Sequence, residues 1–192
     1  MKKIQSIKLS VYILLLSVLI SSCKKDKDNV ATPPAPEEQE LITTIIVSFK
    51  KTPTATDSLT FAWRDADGEG GAAPVIDPIA ITTEYTYLSV HVLNESNPND
   101  VEDISEEIQE KGNEHQLFYT TGTDYMTMAY IDMDDHGVPI GLKMTLSDLT
   151  TVTNSTLQIV LKHQPGIKPV SGQGNASLGA SDFDVTFPLT IQ

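Results

Sequence analysis

Apolar and polar residues alternate along most of the chain from Leu41 onward, a period of two that is typical of β-strands with one buried face. Residues 58–64 show it most clearly, with Leu59, Phe61 and Trp63 on one face. β-branched and aromatic residues are frequent in the other segments as well. The pattern predicts strands at 41–49, 58–64, 84–93, 117–120, 124–131, 140–146, 156–162, 183–187 and 189–191.

Helical periodicity is confined to residues 101–112. Val101, Ile104 and Ile108 follow i, i+3, i+7 spacing among acidic residues, and Gly112 is a typical stop. The alternative is an irregular acidic loop. Many short strands and at most one short helix predict an all-β fold, an antiparallel β-sandwich of immunoglobulin-like or Greek-key type. Pro188 predicts an edge strand or a β-bulge near the end of the chain.

Segments 60–70 and 127–137 form a weak internal repeat. Threonine, alanine, an aromatic residue, two aspartates and a glycine align, and a Thr- and Val-rich strand follows each copy. Two duplicated half-sandwiches or two small Greek-key units would give this pattern. Two strands that end in similar turns would also give it by coincidence.

The first 23 residues have the order of a lipoprotein export signal. Lys2, Lys3 and Lys8 precede an apolar run at 11–20, which is shorter than the roughly 20 residues of a spanning helix. Small residues then precede Cys23, whose thiol is a nucleophile that takes a thioether-linked lipid. This order resembles the lipobox of bacterial lipoproteins, which implies cleavage before Cys23 and a lipid anchor. The alternative is an N-terminal membrane anchor with an incidental cysteine.

The chain therefore divides into a signal peptide at 1–22, a lipidated cysteine and tether at 23–40, and a β-sandwich domain at 41–192. The tether is rich in proline and acids, so it buries too little apolar surface to fold. Cys23 is the single cysteine, which leaves the mature chain without an internal disulfide. The Lys/Asp-rich start at 24–29 resembles a sorting signal of Bacteroidetes-type lipoproteins, and a plain soluble spacer is the alternative.

Acidic residues dominate the charge. The formal net charge is −13, and removal of the signal peptide, with three lysines and no acids, lowers it to about −16. This balance argues against nucleic acid as a partner, because phosphates need Lys/Arg neutralisation. It also argues against peripheral docking on anionic lipid. It is compatible with divalent cations, and solubility alone is the simpler explanation.

Two Asp-rich turns are candidate calcium loops. Alternate acids at a turn direct carboxylates to one side, and glycines let backbone carbonyls join them, which suits the six to eight oxygens of Ca²⁺. The first turn resembles part of an Asp-x-Asp-x-Asp-Gly loop. The alternative is that Asp and Gly serve as ordinary turn residues. The candidate ligands are Asp65, Asp67 and Glu69 in the first turn and Asp132, Asp134 and Asp135 in the second.

Histidines beside carboxylates give a second candidate metal site. Imidazole with carboxylate is a ligand set for Zn²⁺ or Cu²⁺. No local His-x-x-x-His spacing is present, so only the fold could assemble such a site, and scattered surface histidines are the alternative. The candidate transition-metal ligands are Glu114, His115, His136 and His163.

Catalytic motifs are missing from the sequence. It contains neither a Gly-x-Ser-x-Gly elbow nor a Gly-x-x-x-x-Gly-Lys phosphate loop. Acidic pairs are so abundant that they indicate no particular reaction. We therefore expect a protein that is not an enzyme.

Residues 40–44, 65–71 and 114–119 together resemble a group of small Bacteroidetes lipoproteins. Members are sometimes labelled as a type 1 periplasmic binding fold, which needs a longer chain with β-α alternation in two lobes; this sequence has neither. The resemblance implies a lipid-anchored outer-membrane protein on the periplasmic or cell-surface side. It further implies an accessory or binding module for metal or small-solute uptake beside a TonB-dependent transporter. A structural or adhesive surface lipoprotein without a small ligand is the alternative.

Overall fold

The computed structural model describes residues 41–68, 70–122 and 124–192. They form an all-β sandwich of two packed sheets with one short helix, α1 (Ile104–Glu110). The first sheet contains β1 (Thr44–Lys50), β2 (Leu59–Arg64), β3 (Val75–Ile76), β5 (Tyr87–Asn94), β6 (Glu102–Asp103), β8 (Thr127–Tyr130) and β9 (Lys143–Ser147). The second sheet contains β4 (Ile79–Ile81), β7 (His115–Thr121), β10 (Val152–His163) and β11 (Ala180–Ile191). Cys23 and the predicted signal and tether lie outside the described residues.

The order of strands is β3-β2-β1-β5-β9-β8 in the first sheet, with β6 paired to the end of β5, and β4-β11-β10-β7 in the second. The named strand pairs are antiparallel, as predicted, with one exception: β4 runs parallel to β11. These two strands are far apart in the chain. Their pairing is therefore free of the tight hairpin that forces neighbouring strands to run antiparallel.

One core lies between the sheets. Ile45, Val47 and Phe49 of β1 are fully buried, and so are Leu157 and Ile159 of β10. The intervening residues of both strands are more exposed, which is the alternation that the sequence predicts. Burial of each such side chain stabilises the fold by about 1.5–3 kcal/mol. The two inner faces therefore hold the sheets together.

Helix α1 confirms the predicted helix within residues 101–112, although it is shorter. Asp103 caps its N-terminus, and its side chain accepts a hydrogen bond from the Ser105 backbone N–H. Ile104 and Ile108 are buried in the core. Their spacing places both on one face, so the helix closes the core beside β5 and turns its acidic face outward.

The longer strands confirm the prediction, except that the two strands predicted at 183–187 and 189–191 are one continuous strand, β11. Three short strands were not predicted. β3, β4 and β6 have only two or three residues, too few to show a period. Pro188 lies inside β11, one residue before pairing with β4 begins at Leu189. β11 lies between β4 and β10, and the register shifts of its pairing with β10 fall elsewhere, so the edge strand or bulge predicted at the proline is wrong. The proline is tolerated at a position where β11 pairs with β10 only.

The weak repeat extends over a strand and its turn only. β2 and β8 both belong to the first sheet, but the Thr-rich strands that follow them, β5 and β10, lie in different sheets. In the described part of the chain, no helix is long and apolar enough to cross a membrane.

Candidate metal centre

Two histidines lie side by side at one end of the second sheet. β7 and β10 pair so that His115 is the Cα partner of His163. The same register pairs Leu117 with Leu161, and both leucines are buried. Because side chains alternate along a strand, the histidines continue the row that faces the core. Their rings are stacked, with centroids 4.6 Å apart and planes 3° from parallel.

A β-bulge in β11 brings a carboxylate to the histidine pair. The register of β10 with β11 shifts after Leu161, and Asp182 is the extra residue with no partner on β10. A bulge of this kind re-aims the neighbouring side chains. As a result, one potential ligand atom from each of His115, His163 and Asp182 lies within 4.8 Å of the others.

His115 is held neutral in one tautomer. Its Nδ1 lies 3.2 Å from the backbone oxygen of Lys111. A carbonyl only accepts, so Nδ1 carries the proton and Nε2 keeps its lone pair. Burial lowers the pKa of His115 to about 4, against the opposing effect of that hydrogen bond. A histidine that gives its other N–H to a carbonyl is typical of metal sites.

Two carboxylates stand beside the rings. Asp182 is half-buried, and burial raises its pKa, while His163 and Lys162 partly offset that rise. Glu114, directly before β7, has its Oε2 3.9 Å from His163 Nε2. A desolvated carboxylate gains from a nearby cation. The centre therefore offers two imidazoles and two carboxylates from three neighbouring strands.

The loop at 164–179 closes over this end of the sheet. Gln164 is fully buried, and its Nε2 donates to the backbone oxygens of Asn175 at 2.7 Å and Leu178 at 2.9 Å. Gly179 has φ +74°, and a Cβ at this position would lie 2.1 Å from the His163 oxygen. Only glycine allows so close an approach with positive φ. The loop is thus pinned directly beside the histidines.

A buried lysine from the same loop fixes the backbone of the centre. Lys168 Nζ donates to the backbone oxygens of Gly112 at 2.6 Å, His115 at 3.0 Å and Pro139 at 2.9 Å. It also pairs with Asp134 Oδ2 at 2.9 Å, and both side chains are 1% exposed. Burial lowers the pKa of Lys168. Lys168 therefore ties the 164–179 loop to the start of β7.

Two carboxylates of the second Asp turn accept hydrogen bonds from backbone N–H groups of the protein itself. Asp132 accepts from Gly141 N at 3.0 Å and Leu142 N at 2.8 Å, while burial raises its pKa. Burial alone would raise the pKa of Asp134 as well. The ion pair with Lys168 and hydrogen bonds from the backbone N–H groups of His136 and Val138 outweigh that effect and lower the pKa of Asp134. Asp135 is exposed. The ammonium group of Lys168 thus already supplies Asp134 with a cation, and calcium binding here stays a prediction.

The first Asp turn is only partly described. Asp67 Oδ2 accepts from Ala72 N at 2.8 Å, and this hydrogen bond lowers the pKa of Asp67. Asp65 Oδ1 is buried without a hydrogen-bond partner among the described residues. Glu69 lies outside the described residues. Calcium binding at this turn also stays a prediction.

Of the predicted transition-metal residues, the structure brings together Glu114, His115 and His163. His136 is exposed elsewhere, with its Nδ1 3.1 Å from Asn113 Oδ1. The sequence analysis missed Asp182 and Lys168. The even alternation after residue 182 gives no sign of the bulge, and a lysine in a Pro- and Gly-containing loop looks like a surface residue.

Comparisons with protein-family models, with curated proteins and with solved structures find no match to this chain.

Proposed function

We propose that this protein captures a divalent transition-metal ion with His115, His163 and Asp182, and that Glu114 is the fourth ligand. Imidazole and carboxylate form the ligand set of Zn²⁺ and Cu²⁺. The observation that carries the proposal is that three donors from separate strands converge within 4.8 Å of one another. The neutral, oriented ring of His115 supports it, because metal binding needs an unprotonated nitrogen.

Binding would rearrange the side chains locally. Zinc is four-coordinate with Zn–N distances of about 2.0–2.1 Å, which places donor atoms about 3.3 Å apart. The ion must therefore draw the donors together. It must also rotate one ring out of the stack, because the lone pairs of parallel rings do not converge. His163 and Asp182 are half-buried, whereas His115 is buried and its Nδ1 is bonded to the Lys111 backbone oxygen, so the adjustment falls on His163 and Asp182.

We place this capture at the outer membrane, with the β-sandwich tethered by lipid on Cys23. The lipobox order of the first residues supports the anchor. The resemblance to small Bacteroidetes lipoproteins supports a role as an accessory module in metal uptake beside a TonB-dependent transporter. Such a module would raise the local concentration of the ion at the transporter.

Calorimetric titration of the chelator-treated full-length protein with Zn²⁺ tests the proposal. We expect one ion per chain and a stabilisation of about 2.7 kcal/mol when the ion is at a hundredfold excess over Kd. His163→Gln and Asp182→Asn should each weaken binding by about tenfold or more, because each replaces an imidazole or carboxylate ligand with a weakly coordinating amide. His136→Gln is the matched control and should bind like the wild type.

Absence of binding, or variants that bind as tightly as the control, would overturn the proposal. A parallel melt with Ca²⁺ separates the two metal hypotheses. Stabilisation by Ca²⁺ that persists in Asp182→Asn would point to the Asp turns rather than to this centre.

A further inference from the structure

A groove of about 600 Å³ lies on the outer face of the first sheet, and none of the residues of the candidate metal centre lines it. This volume is within the range of small-molecule sites. Strands β1, β5 and β9 supply its floor, helix α1 supplies one wall, and Pro53 stands at its rim. The residues that matter below are Ser48, Lys50, Ser89, Glu106, Glu110 and Lys143.

The register of the sheet explains the shape of the groove. Ser48 of β1 pairs with Ser89 of β5, and Ser89 pairs with Lys143 of β9. These three residues form one row across the sheet, and two of them are small. In the next row Lys50 pairs with Tyr87. The small serine side chains make the groove deep at its centre. Lys50 and Lys143 lie on β1 and β9, the strands on either side of β5.

The two lysines are the only cationic side chains without a partner in the described ranges. Seven Lys and Arg residues occur from residue 41 onward. Five have an ion pair or a hydrogen bond to a side chain: Lys51, Arg64, Lys111, Lys162 and Lys168. Lys50 and Lys143 have neither, and both line the groove. In so acidic a chain, two free cations on one face select for a negative group.

Free carboxylates line the same groove from the helix side. Glu106 and Glu110 lie on α1 and have no ion pair within the described part of the chain. Asp103 is different, because its Oδ2 lies 2.7 Å from His91 Nε2. The floor thus presents two ammonium groups and the helix presents two carboxylates.

We propose that the groove binds a small zwitterion of the amino-acid or short-peptide class. The ligand carboxylate lies against Lys50 and Lys143, and the ligand ammonium lies against Glu106 and Glu110. The hydroxyls of Ser48 and Ser89 contact the part of the ligand between its two charges. Complementary charges at both ends fix the orientation of such a ligand and give specificity.

The test uses the detergent-solubilised full-length protein, with EDTA present so that no metal site contributes. NMR titrations with the dipeptide Ala-Ala, with N-acetyl-Ala-Ala and with Ala-Ala-amide measure the two charges of the ligand separately. We expect saturable binding of Ala-Ala. Removal of either charge should weaken it by about tenfold or more, the effect of losing one charge-assisted hydrogen bond.

Substitutions show which side of the groove binds each charge of the ligand. Lys143→Gln should reduce the preference for the acid over the amide, and Glu106→Gln should reduce the preference for the free amine, because Lys50 and Glu110 each remain as the second partner. Lys51→Gln, a lysine outside the groove, is the control and should keep both preferences. The proposal is overturned if Ala-Ala shows no saturable binding or if the three peptides bind equally. It is also overturned if Lys143→Gln behaves like the control.

Discussion

The buried pair of Lys168 and Asp134 lets the energetics of the metal-site loop be measured directly. Both side chains are 1% exposed, and their charged atoms are 2.9 Å apart. Lys168→Met keeps most of the side-chain length but leaves the Asp134 carboxylate buried without its cation. Asp134→Asn keeps the shape but leaves the ammonium group without its counter-charge. Removal of one partner of a buried pair costs about 3–5 kcal/mol, and we expect that loss in each single variant.

The double variant separates the pair itself from other losses. Lys168→Met also removes three hydrogen bonds to backbone oxygens. That loss occurs in both the single and the double variant, so it cancels when the four proteins are compared in a double-mutant cycle. Residues in direct contact couple by about 0.5–3 kcal/mol, and a buried ion pair belongs in the upper part of that range. We therefore expect the double variant to lose about 2 kcal/mol less than the sum of the single variants.

Urea unfolding at pH 7 is the assay, with the free energy of unfolding as the readout. Lys51→Met and Glu84→Gln provide the matched cycle at an exposed ion pair, with side chains 58% and 65% exposed, and should show no resolvable coupling. A coupling at Lys168 and Asp134 as small as that of the exposed pair would refute the reasoning. It would mean that water reaches the pair.

Three further predictions follow from the structure. The pKa of His115 is about 4 in the folded protein and 6.5 ordinarily, so the unfolded chain takes up a proton at a higher pH than the folded chain does. The free energy of unfolding should therefore fall by at most about 3 kcal/mol as the pH drops from 6.5 to 4. The urea midpoint of His115→Gln, measured over the same pH range, should lack this decrease. Parallel pH profiles for the wild type and the variant would contradict the prediction. Gly179→Ala should destabilise by about 2–3 kcal/mol in the same assay, because its Cβ meets the His163 oxygen at 2.1 Å. Gly172→Ala, with φ +86° and open space, should lose only about 1 kcal/mol, and equal losses would be inconsistent with a clash. Mass spectrometry of protein from the native host should find acylated Cys23, whereas Cys23→Ser should accumulate uncleaved; an unmodified N-terminus in the wild type would remove the anchor.

The strands are predictable from sequence because alternation is a local property. Leu59, Phe61 and Trp63 alternate within one segment, and the structure places β2 there. Strands of two or three residues such as β3 and β6 carry no period, so long-range pairing alone defines them. Strand boundaries differ from the predicted ones because pairing also extends a strand beyond its alternating segment. β10 begins at Val152, whereas the alternation predicts a strand only from residue 156.

The candidate metal centre depends on pairing between distant segments. His115 and His163 meet only through the register of β7 with β10, and a slip of one residue would turn one ring to the opposite face. Sequence analysis therefore names the histidines and Glu114 as candidates but cannot choose among pairs. Asp182 needs the bulge in addition. His136 is likewise excluded from the candidate metal centre only by the fold, which places it elsewhere on the surface beside Asn113.

Helix α1 belongs to both proposed sites and determines whether they influence each other. Glu106 and Glu110 on its outer face line the groove, and the backbone oxygen of Lys111, directly after the helix, orients His115. Coupling between sites requires an element with two arrangements. The inner residues Ile104 and Ile108 are at most 2% exposed, so the core holds α1 in place.

Metal binding through Nε2 of His115 would leave the bond from its Nδ1 to the Lys111 backbone oxygen in place, so metal binding has no reason to move the helix. We therefore expect Zn²⁺-loaded protein, freed of excess ion, to bind Ala-Ala within about twofold of the metal-free affinity. A change of about tenfold, or 1.4 kcal/mol, would instead identify α1 as a moving part. The stacked rings and the unpaired lysines would then be two ends of one switch rather than two separate sites.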